Sequence, residues 1–209
     1  MKARAVTVLT VGFLSNTLFA QDWEFDMSVG AGLSDEPIDE YEYTDGTTKT
    51  LTAGQGLGFF IGKDVYTYKQ IDLNLKAGFK WGSISDTNYS ISTHFTYFPL
   101  FANARYNITP QISASGGLSY LLVPKAVQNN DGYKVTVKLN NSLGYNIEGR
   151  YEFTPVPNSP ITLASFLRYT ANKASYDTVS DNQGHSVDAS KVPDKKINSL
   201  IELIKFQEE

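Results

Sequence analysis

The sequence predicts an all-β protein, a transmembrane up-and-down antiparallel β-barrel of eight strands. Three observations predict it: apolar and polar side chains alternate over long runs, the runs recur at near-regular intervals, and the polar face is crowded with small residues and near-balanced charge. The longest run is VTVKLNNSLGYNIEGRYEF at 135–153. Its odd positions from Val135 to Phe153 are apolar or glycine apart from Asn141, and its even positions from Thr136 to Glu152 are polar or small. A period of two is a strand with a different environment on each face.

The chain opens with MKARAVTVLTVGFLSNTLFA. Lys2 and Arg4, a short apolar core from Ala5 to Leu14, and the small residue Ala20 have the pattern of a secretory signal. The apolar run is too short to span ~30 Å of hydrocarbon as a helix. The expected organisation is a signal peptide at 1–20 and one barrel domain at 21–209. Losing Lys2 and Arg4 moves the formal charge from −4 to −6, which disfavours nucleic-acid binding. With no cysteine there is no disulfide scaffold, lipoprotein anchor, thiolate metal site or thiol nucleophile.

The first strand is WEFDMSVGAGL, with Trp23, Phe25, Met27 and Val29 alternating with Glu24, Asp26, Ser28 and Gly30. Leu57, Phe59 and Ile61 alternate with glycines in the second, although Phe60 stands on the polar side. Ile71 to Trp81 form the third, with Asp72, Asn74, Lys76, Gly78 and Lys80 between the apolar positions. In STHFTYFPLFANARYNI, Phe95 and Tyr97 share one parity while Leu100, Ala102, Ala104 and Tyr106 share the other. A bulge at Pro99, which cannot donate to the ladder, would shift the register between them and leave Arg105 on the polar side. Ile112 to Leu122 alternate with Ser113, Ser115, Gly117 and Ser119, and Leu163, Leu167 and Tyr169 alternate with Ala164, Arg168 and Thr170. The last segment, KINSLIELIKF at 196–206, reads as a closing strand, since eight strands close where seven leave an edge. It also reads as a helix, because Ile197, Leu200, Ile201 and Ile204 have helical spacing. Short connections alternate with longer polar ones at 34–53, 85–90, 124–132 and 171–196.

Soluble lipid-carrying barrels put the apolar face inward and membrane barrels put it outward. Gly30, Gly58, Ser113, Gly117 and Ser119 on the polar face suit a narrow interior. Glu24, Asp26, Asp72, Glu148 and Glu152 stand there against Lys76, Lys80, Arg105, Lys138, Arg150 and Arg168, the near balance that a closed lumen requires. The expected lumen network is Asp26, Asp72, Lys76, Lys80, Arg105, Glu148, Arg150 and Arg168. Trp23, Phe79, Trp81, Tyr120, Tyr145, Tyr151 and Phe153 are candidates for interfacial girdles.

The leader, the alternating strands, YFPLFANARYNITPQISASGGLSY and the near-terminal Phe206 together resemble small bacterial outer-membrane barrels of the OmpA/OmpX-like eight-stranded type. The resemblance covers the mature chain and is specific for architecture. Gln207, Glu208 and Glu209 depart from it by following the terminal aromatic. It implies outer-membrane localisation, contact with outer-membrane lipids and lipopolysaccharide, insertion by the barrel-assembly machinery, and a monomer. The implied function is a non-enzymatic barrel with extracellular loops, serving envelope integrity or surface interaction. A narrow porin-like transport barrel and a lipid-A-modifying enzyme are the alternatives.

Nothing assembles into a catalytic constellation. His94 with Thr96, and His185 with Ser186, are isolated pairs. The loop SDEPIDEYEYTDG holds Asp35, Glu36, Asp39, Glu40, Glu42 and Asp45, but its spacing matches no EF-hand. No cofactor or metal site is expected.

Overall fold

A computed structural model describes residues 4–16, 23–32, 39–42, 48–51, 55–86, 90–153 and 163–188. Thirteen strands run through them. They are β1 (Arg4–Asn16), β2 (Trp23–Gly32), β3 (Asp39–Glu42), β4 (Thr48–Leu51), β5 (Gly56–Tyr68), β6 (Ile71–Asp86) and β7 (Ile91–Asn107). There follow β8 (Ile112–Asn130), β9 (Tyr133–Leu139), β10 (Ser142–Phe153), β11 (Leu163–Ala174), β12 (Tyr176–Asp181) and β13 (Ser186–Asp188). Eight of them pair antiparallel in a closed ring, in the order β1, β2, β5, β6, β7, β8, β10, β11 and back to β1. A closed ring leaves no edge, as a structure in hydrocarbon requires.

The eighth place is held by β1, which runs antiparallel to both neighbours, from Arg4 opposite Ala174 to Asn16 opposite Leu163 and Phe25. Residues 196–206, expected to close the barrel, lie outside the described residues. So do Asp35, Glu36 and Asp45 of the acidic loop.

Through the middle of the ring the apolar parity faces outward. Val29, Leu75, Leu118, Ile147 and Leu167 are all exposed, while Asp26, Lys76, Ser119, Glu148 and Arg168 are buried. The wall is therefore apolar and the interior polar: a transmembrane barrel. All seven girdle candidates, Trp23, Phe79, Trp81, Tyr120, Tyr145, Tyr151 and Phe153, stand on the outer wall.

β8 is 19 residues long and rises roughly 60 Å, far beyond an apolar band of about 25 Å. Three neighbouring strands change register at one level. In β8 the two residues Val123 and Pro124 face a single residue of β7 between Thr96 and Phe98. The run 135–153 breaks at Asn140–Asn141 into β9 and β10, and Ser175 separates β11 from β12. The side chain of Asn141 accepts the Val123 N–H at 2.8 Å, and Asn140 N–H donates to the Ser175 carbonyl at 2.8 Å. Above this level the barrel is turned inside out. Val135, Val137, Ala126 and Val179 pack inward with Phe95, Tyr97, Leu121 and Leu51, while Lys125, Lys134 and Lys138 face solvent.

Three expectations are corrected here. Residues 135–153 are two strands, not one, so Val135 and Val137 face the interior and Lys138 stands outside rather than in the lumen. β7 keeps its phase through Pro99: Phe95, Tyr97, Phe101 and Arg105 all point inward. The bulge falls instead at Pro124 on β8, where the missing N–H costs the ladder nothing. Finally, 124–132 is not a loop. β8 continues to Asn130 and turns on Asp131 and Gly132, both at positive φ (47° and 86°), the backbone that a tight two-residue hairpin needs.

The inversion makes a prediction. Thr136→Arg should be tolerated, whereas Val137→Arg should prevent stable folding and Val137→Ala should cost roughly 1–3 kcal/mol, measured by urea titration of vesicle-folded protein. Tolerance at Val137 with loss at Thr136 would restore one uninterrupted strand.

Candidate functional site

The strand period delivers charged groups to the lumen from six strands. Glu24 and Asp26 come from β2, Asp64 from β5, Asp72 and Lys76 from β6, Arg105 from β7, Glu148, Arg150 and Glu152 from β10, and Arg168 from β11. Lys76 is the hub. Its Nζ lies 2.8 Å from Asp26 Oδ2, 2.9 Å from Glu24 Oε2 and 3.6 Å from Glu148 Oε1, with its side chain 2% exposed. Arg168 grips Glu148 through two nitrogens, Nε at 2.7 Å and Nη2 at 2.5 Å, and reaches Asp26 at 3.4 Å. Arg150 spans Glu152 at 2.9 Å and Asp26 at 3.3 Å. Arg105 joins Glu24 to Asp64 and lies 3.7 Å from Asp72.

Burying these ions would cost several kcal/mol each without partners, so each cation is shared among carboxylates of different strands. Glycines make the room. A Cβ on Gly62 would sit 2.4 Å from Lys76 Cγ, and one on Gly78 would sit 2.2 Å from Phe60 Cδ1. Phe60, Phe101 and Phe166 collar the guanidinium of Arg168, with ring centroids 4.9, 4.7 and 4.9 Å from its Cζ. The π-faces attract the cation and exclude water beside it.

Beyond the ions toward the β8–β9 hairpin lies an amide layer. Asn146 donates to Asn103 at 2.9 Å, and Ser119 donates to Asn172 at 3.0 Å. The inward apolar cluster with Leu51 covers it. At the opposite end, beside the short turns, a cavity of about 580 Å³ is walled by Glu24, Arg105 and Arg150 and rimmed by Lys69, Asp72 and Glu152.

All eight expected lumen residues are buried: Asp26, Asp72, Lys76, Lys80, Arg105, Glu148, Arg150 and Arg168. Seven meet in the ion network. Lys80 lies elsewhere on the inner wall, opposite Gly58 and Tyr97. Sequence reasoning missed Asp64, which keeps the inward parity of Gly58, Phe60 and Gly62 but lies past the alternation read at Leu57–Gly62, just before the register shift between Asp64 and Tyr66. It also missed the phenylalanine collar, for which Phe60 on a polar face was the one signal. His94 lies on the outer wall, stacked on Trp81 at 6.0 Å. His185 pairs with Asp181 at 2.7 Å in a turn where Asp181 also accepts the N–H groups of Gln183 and His185. Among the described residues no three His, Asp or Glu side chains are arranged to hold a metal ion.

Desolvation of this network sets its response to mutation. Arg168→Met removes the partner of Glu148 and should cost about 3–5 kcal/mol in urea titration, with partial recovery when Glu148→Gln is added. Arg168→Lys should fall between, keeping charge but losing the two-nitrogen grip. Parental stability of Arg168→Met would mean the pair is hydrated.

No family model matches the chain, and neither does any curated protein. Among solved structures the chain is similar to Ail, the attachment invasion locus protein of Yersinia pestis, crystallised with the heparin analogue sucrose octasulfate. The identity is 12%, the match covers 84% of this chain and 100% of that one, and the TM-score is 0.34.

Proposed function

We propose that this protein is a non-enzymatic outer-membrane barrel whose lumen is closed by its own ion pairs and whose long connections face the cell exterior, where they serve envelope integrity or surface contact. The single observation behind the closed lumen is the Lys76 hub with its three carboxylates, roofed by the Phe60–Phe101–Phe166 collar. Eight strands leave an interior that side chains can fill, whereas aqueous porins use 16 to 18. Purified, refolded protein should therefore give no steady conductance in planar bilayers. Arg150→Gln should admit brief openings from the 580 Å³ cavity and lower stability, because Asp26 and Glu152 lose a partner. Large, stable steps from the unmodified protein would favour the transport reading instead.

The orientation follows from connection length. The turns at 69–70 and 108–111 are short, while the opposite end bears the β3–β4 hairpin and the extensions β9, β12 and β13. We further infer that residues 1–20 leave as a signal peptide and that 196–206 then takes the place β1 holds between β11 and β2. The direction suits it: β12 and β13 form an antiparallel hairpin, so β13 itself runs toward the short-turn end, as β1 does. One preparation tests both inferences. Asp131→Cys should react with an impermeant reagent on intact cells and Gln111→Cys should not, and the mass of the membrane-inserted chain should begin at Gln21. Equal labelling would sink the orientation, and a mass that includes Met1 would sink the cleavage.

A further inference from the structure

We propose that His185 is a pH-sensitive latch: protonated, it ties the tip of the β12–β13 hairpin to the β8–β9 turn, and neutral, it lets the tip loosen. The inference stands on the contacts at that tip and does not depend on which end of the barrel faces the cell exterior.

Asp181 is the anchor. It ends β12 opposite Val135 and shares the inner face of the sheet with it, its side chain 1% exposed. Oδ1 accepts the N–H groups of Gln183 and His185, each at 2.9 Å, and Oδ2 accepts the Tyr133 hydroxyl at 3.2 Å. The same Oδ2 lies 2.7 Å from His185 Nδ1. The carboxylate thus shapes the turn from Asp181 to His185, and that turn presents Asn182 to the neighbouring hairpin. Asn182 N–H donates to the Lys134 carbonyl at 3.0 Å, Asn182 Oδ1 accepts the Lys134 N–H at 3.2 Å, and Asn182 Nδ2 donates to the Gly132 carbonyl at 2.9 Å. Two hairpins far apart in sequence are joined at their tips by these bonds, and all of them depend on the turn that Asp181 holds.

Protonation decides how firmly the turn is held. Burial works upward on the Asp181 carboxyl, but the donors from His185, Gln183 and Tyr133 outweigh it and keep the group down at about 2. Asp181 is therefore an anion throughout the range in which a histidine titrates. The His185 side chain is 67% exposed and open to protons from solvent. A neutral ring keeps the contact only as the Nδ1–H tautomer, whereas an imidazolium always presents that N–H and adds a charge. Around the pair stand Tyr133, Lys134 and Asp131 of the β8–β9 hairpin and Asp188 of β13. Of these side-chain types only imidazole changes charge between about pH 5 and 8. A histidine that gains a carboxylate on closing gives stability that is full below its open-state value, about 6.5, and is lost as pH rises through the closed-state value. An exposed pair of this kind shifts the opening equilibrium about two- to fivefold, and less in high salt. Below the tip, Val179 opposite Val137 packs in the apolar cluster and does not titrate, so the switch moves the tip and leaves the sheet in place.

The test is amide hydrogen exchange, read by NMR on the full barrel in phosphatidylcholine nanodiscs at about pH 5.5 and about pH 8, either side of the histidine range. Each rate is corrected for the intrinsic pH dependence of exchange, so that protection reports the opening equilibrium. Protection at Gln183, His185 and Lys134 should be about two- to fivefold higher at the acid value. Asn107, whose N–H donates to the Gln70 carbonyl in a turn at the other end of the barrel, should be equally protected at both. His185→Gln replaces an exposed side chain and should hold the parent's alkaline level of protection at both values. Asp181→Asn should lose protection at both, because the anion that gathers the turn is gone. Protection in the parent that ignores pH, a pH response that survives in His185→Gln, or parental protection in Asp181→Asn would each overturn the latch. A change at Asn107 equal to that at the tip would overturn it as well, since the whole barrel would then be responding.

Discussion

A strand in hydrocarbon must find backbone partners on both sides, and that constraint governs everything else in this molecule. It closes eight strands into a ring. A ring of that size has an inside too narrow for bulk water and too enclosed for unpaired charge. The interior must then be filled by side chains that satisfy one another, and the alternation along each strand delivers them at every second residue. The Lys76–Asp26–Glu24–Glu148–Arg168 cluster is the outcome: each ion is buried by the wall and held there by ions from other strands. Glycine at 62 and 78 is part of the same solution, because the space belongs to Lys76 and Phe60.

The constraint lapses where the wall leaves the membrane, and the sequence switches at that height. Beyond Pro124, Asn140–Asn141 and Ser175 the outer face meets water, so lysine and threonine move out and valine and alanine move in. Register shifts on adjacent strands accomplish this without ending the sheet. Asn141 satisfies the Val123 N–H that the bulge on β8 would otherwise orphan. A proline on one strand and an asparagine pair on the next are thus a single device, used where the solvent changes. β7 needs no such device, because its inward residues change from Asn103 and Arg105 to Phe95 and Tyr97 while the strand runs on.

This explains how far the sequence could be read. Within the membrane band, composition and parity coincide, so Asp26, Lys76, Glu148 and Arg168 were legible as inward and Leu118, Ile147 and Leu167 as outward. Above the band composition inverts while the period continues. Val135 and Val137 therefore looked like a lipid face, and Lys138 looked like a lumen residue. Phe95 and Tyr97 were misassigned for the same reason: an apolar residue signals the wall only where the wall meets lipid. Asp64 was missed because Lys63 and Asp64 end the clear apolar alternation of β5, and the pairing of the ions was hidden by something more general. Partners such as Arg150 and Asp26 lie 124 residues apart, and barrel register, which decides them, leaves no mark in either strand alone. The eighth strand left no alternation to read, since Ala5 to Leu14 reads as the apolar core of a leader and KINSLIELIKF has helical spacing as well.

Ion pairs are an expensive way to fill a lumen, because desolvation offsets most of the Coulomb gain and well-packed apolar groups often do as well. What they add here is discrimination among registers. Sliding one strand by two residues keeps every apolar side chain on the wall and every polar one inside, so the hydrophobic pattern alone does not resist it. It does move charges. Shifting β2 by two places would bring Ser28 or Glu24 to the position of Asp26, where Lys76, Arg150 and Arg168 converge. Ser28 would leave those three cations short of a carboxylate, and Glu24 would drag its own contacts with Arg105 out of line. Shifting β11 by two would replace Arg168 with Phe166 or Thr170 and strand Glu148. Each slip that the apolar face permits is one that the lumen forbids, which is why the charges sit on so many different strands.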